Sequence, residues 1–206
     1  MNIEIIKPYR LENFLSNSEN KRIFITGGSG SGKSTLWNSL EEKLGNTLAF
    51  PTRFTSRPVR SDDNIKENQH LNFNDFNPLF KEKIIEFFWQ KFLPNGTEYY
   101  GFKFTDKKCK IYSCNNEFLL NSNFLKTHSD LFENGLIVHV KTDIEIRKSR
   151  LLERYKKQNI TESELLYRLT SNEDKIIDKY DITINNNEDI LTARSNLIDI
   201  LSLNSL

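Results

Sequence analysis

Along the chain, short apolar runs alternate with stripes of apolar residues at helical spacing. Residues 21–26, KRIFIT, form a β-branched and aromatic run bounded by glycine, which predicts a buried strand. Gly27 to Gly32 follow as a glycine-rich turn. Lys33 to Leu44 then read as a helix, with Trp37, Leu40 and Leu44 on one face and Gly45 as its stop. Strands are also expected at 47–50, 84–89 and 110–114, and LIVHV at 136–140 predicts another buried strand. After it, a helix from near Asp143 places Ile144, Leu151 and Tyr155 on one stripe. Thr161 and Glu164 in TESE have the spacing of a capping box that opens a further helix. DITI at 181–184 reads as a final strand and 189–202 as a final helix. Strands that alternate with helices predict an α/β architecture, a mainly parallel sheet covered on both faces. The stretch from about 53 to 104 breaks this rhythm. It is polar, aromatic and poor in helical pattern, and reads as an insertion on one domain spanning 1–206.

Composition narrows the field. The chain has 206 residues, enough for one substantial domain, with 37% hydrophobic residues and fifteen Phe to build a core. Lys plus Arg number 29 against 28 Asp plus Glu, a net charge of +1, which argues against a protein held to nucleic acid by general positive charge. The two cysteines, Cys109 and Cys114, read as reduced thiols, and His128 and His139 lie too far along to complete a zinc pattern with them. No run approaches the ~18 consecutive apolar residues of a membrane span. The start, MNIEIIKPYRLENF, is interrupted by charge too early for a signal peptide. A cytoplasmic protein without membrane contact is expected.

The chemistry begins at GGSGSGKS, residues 27–34, which fits G-x-x-x-x-G-K-[ST] in full. Gly27, Gly28, Ser29, Gly30, Ser31 and Gly32 would present backbone N–H groups to phosphate oxygens. Lys33 would reach the β and γ phosphates, Ser34 would ligand Mg²⁺, and Thr35 follows in the first turn of the helix. The plainer alternative is a flexible glycine turn with an incidental lysine. The setting between a predicted strand and a predicted helix favours a site for ATP and Mg²⁺.

Two arginine sets accompany this loop. PTRFTSRPVR at 51–60 brings Arg53, Arg57 and Arg60 together between stiffening prolines, and guanidinium forks suit an acceptor that already carries phosphate. Downstream, ENQH at 67–70 and TEYYGF at 97–102 add polar and aromatic groups suited to a small-molecule pocket. RLLER places Arg150 and Arg154 at i and i+4, and Arg168 follows on the next helix. These three read either as surface ion pairs with Glu145, Glu153 or Glu164, or as a lid over a transferring phosphoryl group.

Taken together, GGSGSGKST, TSRPVR, YYG, RLLER with a later RL, and YDITINN resemble the guanylate kinase group of P-loop kinases, from about Lys21 to Ser202. The resemblance implies a three-layer P-loop fold with an acceptor-binding insertion at about 53–104 and an arginine lid at about 150–168. It implies acceptor-phosphate contacts from Arg57, Arg60 and Tyr100, lid roles for Arg150, Arg154 and Arg168, and an adenine neighbour at Asn185 or Asn186, with Asn185 taken as the candidate. The base-reading positions of that group differ here: Phe88 stands for a glutamate, Phe102 for a serine and Gln69 for a tyrosine. Arg53 stands where the group has a serine. In these respects the chain looks like the ribose 1,5-bisphosphate phosphokinase branch, with Arg53, ENQH and Trp89 followed by NGTEYYGF.

That branch moves the γ-phosphoryl of ATP to a sugar bisphosphate and yields phosphoribosyl diphosphate. An acceptor with two phosphates and no base calls for more arginine and less base-reading apparatus. An ionised phosphate acceptor needs no strong general base, so positioning and charge neutralisation suffice. The expected partner is a small phosphorylated acceptor, not nucleic acid or membrane, and a homodimer stays compatible with this reading. The competing readings are a guanylate or other nucleoside monophosphate kinase, and a binding module of the same fold without catalysis. The strand at 110–114 has no aspartate to help hold a hydrated metal, and the sequence offers no evident substitute.

Overall fold

The computed structural model describes residues 3–17, 21–59, 65–93, 96–120, 128–133, 135–156, 162–170, 177–187 and 190–201. In chain order, β1 (Ile3–Ile5) and α1 (Pro8–Ser16) precede β2 (Lys21–Thr26) and α2 (Lys33–Leu44). The stretch read from the sequence as an insertion supplies β3 (Arg53–Thr55), β4 (Asn68–His70), α3 (Phe76–Lys81), β5 (Ile85–Leu93) and β6 (Gly96–Lys103). There follow β7 (Cys109–Ser113), α4 (Glu117–Leu120), α5 (Ser129–Glu133), β8 (Gly135–Lys141), α6 (Ile144–Tyr155), α7 (Glu162–Leu169), β9 (Ile182–Asn185) and α8 (Ile190–Ile200).

The main sheet runs β1-β9-β8-β2-β7, with β9, β8, β2 and β7 parallel and β1 antiparallel at one edge. In β2, Ile23 lies opposite Ile111 on one neighbour and Leu136 on the other. Burial on both faces explains the near-continuous apolar runs, since alternate residues all need cover. Ile23, Ile25, Ile111 and Val138 share a core with Leu36, Trp37 and Leu40 of α2 and with Ala193 and Leu197 of α8. Trp37 also donates its Nε1–H to the Ile111 carbonyl at 3.1 Å, which satisfies the polar edge of a buried indole.

The opposite face carries Phe24, Tyr112 and Ile137. Its cover is largely the insertion, which forms a second sheet of order β4-β3-β6-β5 and lays Phe87, Trp89, Tyr100 and Phe102 onto it beside Phe118 and Leu131. Phe24 stacks on Tyr112 with ring centroids 5.2 Å apart, and Phe102 meets Tyr112 edge-on at 5.0 Å. Glu86 of β5 ties the layers together by pairing with Lys110 Nζ at 3.0 Å and accepting from Tyr112 Oη at 2.8 Å.

Several sequence expectations are refined. KRIFIT and Lys33–Leu44 form the elements assigned to them. Residues 47–50 reduce to a single parallel bridge between Ala49 and Lys110, since Pro51 has no N–H with which to extend a ladder. Ile144 is 54% exposed, and the buried stripe of α6 is instead Arg147, Leu151 and Tyr155. The helix starts at the Asp143 cap, and Ile144 at its first position turns away from the packed side. The N-terminal β1 and α1 carry too short a pattern to predict them. The proposed Thr161 capping box lies outside the described residues.

Candidate functional site

The site forms at the carboxyl ends of the parallel strands, where α/β sheets open a crevice. β2 ends at Thr26, and the chain passes through Gly27–Gly32 into α2. Gly32 has φ +94°, and a Cβ there would stand 2.1 Å from Asn186 Nδ2, so only glycine fits. That amide donates to the Ser31 carbonyl at 2.7 Å, and Thr142 Oγ1 donates to the same carbonyl at 3.0 Å. The end of β9 and the residue after β8 thus hold the loop from outside.

Lys33 Nζ turns back along the loop and donates to the carbonyls of Gly27 at 2.7 Å and Gly28 at 3.0 Å. Burial first, and then the Arg53 guanidinium, lower its pKa to about 7 from the ordinary 10.5, against the opposing pull of Glu117 and Glu67. A desolvated amine held beside a glycine-rich loop is suited to an anionic ligand that restores its charge.

In front of the loop lies a cavity of about 400 Å³. Lys33, Arg53, Arg57, Lys91, Arg150, Arg154 and Arg168 all line it, and among the described residues no carboxylate does. Ser29, Gly30, Gly32, Ser34, Thr35 and Tyr100 share the wall with Asn115, Asn186 and Ile190. Arg57 is buried, and its backbone is fixed by its carbonyl contact with His70 Nδ1 at 2.9 Å. Tyr100 stacks on Trp89 with centroids 5.6 Å apart and donates its hydroxyl to Glu98. Arg150 donates to the carbonyls of Gly30 at 3.3 Å and Asn186 at 3.2 Å. The Arg168 guanidinium lies 5.2 Å from the centre of the Tyr155 ring.

Arg53 is held by several acceptors. It donates to Asn68 Oδ1 at 2.7 and 3.0 Å, to the Ser113 carbonyl at 2.9 Å and to Glu67 Oε1 at 3.2 Å. Glu67 is only 4% exposed, and the same Oε1 also accepts from Ser34 Oγ at 3.1 Å and Ser113 Oγ at 3.2 Å. The loop, the end of β7 and the insertion therefore converge on one carboxylate oxygen. Ser34 lines the cavity and is bonded to a carboxylate, so the donor set is hard oxygen and fits Mg²⁺.

The assigned residues come together with a few adjustments. Gly27 and Gly28 line a smaller recess of about 60 Å³ that shares Ser29, Lys33, Lys91 and Arg168 with the main cavity. Ser31 is buried behind the loop. Asn185 is exposed and accepts from the Asn187 N–H at 3.1 Å, so Asn186 and not Asn185 faces the cavity. Arg60 lies outside the described residues. Cys109 and Cys114 are buried free thiols, and burial pushes Cys109 up to about 11.

Sequence reasoning passed over Glu67, Lys91 and Arg147 as individual site residues. Arg147 is buried, donates from Nε to the Ser29 carbonyl at 2.9 Å, and reaches the carbonyls of Arg168 and Leu169 from Nη2 at 3.2 and 3.3 Å. An arginine four residues before the core position Leu151 was the available signal. Lys91 pairs with Glu117 at 2.9 Å and projects from β5, where strand alternation alone gives it no special standing.

No family model matches the chain, and no curated protein matches it. Among solved structures, the guanylate kinase from Anaplasma phagocytophilum aligns over 91% of this chain and 88% of its own, at 16% identity and a TM-score of 0.59. The shikimate kinase from Bacteroides thetaiotaomicron covers 88% of this chain and 98% of its own, at 18% identity and a TM-score of 0.45. The likeness to the guanylate kinase is one of fold: this chain shares its α/β architecture.

Proposed function

We propose that the protein is an ATP-dependent kinase that transfers a γ-phosphoryl group to an acceptor already carrying phosphate, with ribose 1,5-bisphosphate as the acceptor and phosphoribosyl diphosphate as the product. The observation that carries this reading is the cavity at the glycine-rich loop, lined by seven lysines and arginines and by no described carboxylate. Such a wall neutralises a polyphosphate, and the charge that spreads over a transferring phosphoryl group adds to the demand. ATP would lie with its phosphates along Gly27–Thr35, Lys33 on the γ-phosphoryl, and Asn186 on the nucleoside side. Ser34 would hold Mg²⁺, which when bound screens the phosphate charges. Arg57 and Tyr100, with Arg60, would anchor the acceptor, and Arg150, Arg154 and Arg168 would close over the transfer.

The residues described at the positions where a base would be read support a sugar acceptor. Phe88 packs with Phe76, Phe80 and Tyr99, and Phe102 is buried against Phe87 and Tyr112. Gln69 is exposed. A guanine placed here would leave buried donors unpaired, at a cost of ~1–3 kcal/mol for each. The fold shared with a guanylate kinase keeps a nucleoside monophosphate acceptor as the second reading.

A coupled assay with ATP·Mg²⁺ and a panel of ribose 1,5-bisphosphate, GMP, dGMP and AMP tests both. Turnover with the bisphosphate alone is expected, and Lys33→Ala is expected to abolish it with the fold intact. Comparable kcat/KM with GMP would transfer the assignment to nucleotides. No turnover with any acceptor and no ATP binding by calorimetry would leave a binding module.

A further inference from the structure

A P-loop metal site ordinarily combines the loop hydroxyl with a carboxylate presented from a neighbouring strand. In this chain β7, the parallel neighbour of β2, ends in Ser113 and brings no charge there. The carboxylate arrives from elsewhere. Glu67 sits just before β4 of the insertion, and its Oε1 accepts from both Ser34 Oγ and Ser113 Oγ. It thereby takes up the space between the loop and the end of β7.

We propose that Glu67, supplied by the insertion, is the carboxylate of the magnesium site; this rests on the nucleotide reading given above. Arg53 fixes it in place, since the guanidinium that meets Glu67 Oε1 at 3.2 Å is itself held by Asn68 and the Ser113 carbonyl. A purely structural pairing with Arg53 would have no use for the two hydroxyls, one of which belongs to the glycine-rich loop. Glu67 Oε2 accepts no hydrogen bond from any described residue, although the side chain is almost wholly buried. With Oε1 taken up by Arg53 and the two hydroxyls, Oε2 is the oxygen left to face a hydrated divalent cation beside Ser34, which takes hard oxygen ligands of this kind. The arrangement also joins the two halves of the reaction, because the segment that supplies Arg57 toward the acceptor supplies the metal's carboxylate as well.

The test separates metal from nucleotide. ADP affinity is measured by calorimetry in EDTA, and Mn²⁺ affinity of the ADP complex by electron paramagnetic resonance, for the whole chain and for Glu67→Gln. The amide can still accept from Ser34 and has lost only the charge. ADP affinity in EDTA is expected to stay within about twofold, while Mn²⁺ affinity falls ~10–100-fold. If Glu67→Gln loses its fold, Glu67→Asp keeps the charge beside Arg53 with a shorter reach, and a several-fold loss of Mn²⁺ affinity is expected from it. Wild-type Mn²⁺ affinity in a folded variant overturns the proposal and leaves nucleotide binding standing. A parallel loss of ADP affinity in EDTA reduces Glu67 to a structural partner of Arg53 and also overturns it. A wild-type protein that binds no ADP with or without metal overturns the nucleotide reading itself.

Discussion

Arg147 Nε donates to the carbonyl of Ser29 at 2.9 Å, and through this bond α6 grips the glycine-rich loop. The other arm of the same guanidinium reaches the last carbonyls of α7, where a helix C-terminus favours a cation. Three backbone acceptors from two segments therefore depend on one buried side chain.

Arg147→Met preserves length and packing while stranding these carbonyls. It is expected to lower stability by about 2 kcal/mol in urea denaturation, within the range for unpaired buried groups. Arg147→Lys should recover less than half of that loss, because an ammonium cannot span the same acceptors with a rigid fork. A variant as stable as wild type would show that α6 and the loop are held by packing alone.

Lys33 gives a pH signature in the free, metal-free protein. Its folded pKa of about 7 lies below the unfolded 10.5, so between these values the unfolded chain binds more protons. Stability contributed through this group therefore rises as pH increases from 7 toward 10.5, and its penalty is complete below 7. Denaturation curves collected across that window should show Lys33→Met more stable than wild type at pH 6, with the difference shrinking by pH 9. Equal stability of the two proteins at pH 6 would contradict the desolvated amine.

Gly32→Ala tests the loop from its other side. At φ +94° a side chain is strained by ~1–3 kcal/mol, and the added methyl would also collide with Asn186 Nδ2. Combining it with Asn186→Ala removes the collision and leaves the strain. The double variant should then lose less stability than the sum of the two single losses, a coupling that a thermodynamic cycle measures directly. Strict additivity would mean the loop has moved away from β9.

The setting of the glycine-rich loop between strand and helix was legible because its signal is local. An apolar run, glycines and a capped helix lie within two dozen residues, and Lys21–Thr26 and Lys33–Leu44 are the elements their periodicity predicts. The Glu67 cluster was not legible, since it joins Ser34, Arg53, Glu67 and Ser113 across distant segments and three elements. Periodicity also misplaced Ile144 for Arg147, because a buried arginine serving carbonyl groups occupies a position that hydrophobic patterns reserve for apolar residues. The exchange of Asn185 for Asn186 has a similar origin. Strand alternation stops where β9 ends, and the chain's turn there decides which amide faces the loop.

The pairing of β2 also sets an order of assembly. Its two neighbours are residues 109–113 and 135–141, so KRIFIT has no partner strand when it leaves the ribosome. The whole insertion is synthesised before either neighbour exists, and its aromatic sheet needs Phe24 and Tyr112 to bury against. Both layers must therefore wait for β7, and closure of such distant segments makes for slow folding. Truncation before residue 109, which removes β7 and both partners of β2, is where this delay would surface as aggregation of an unpaired apolar strand.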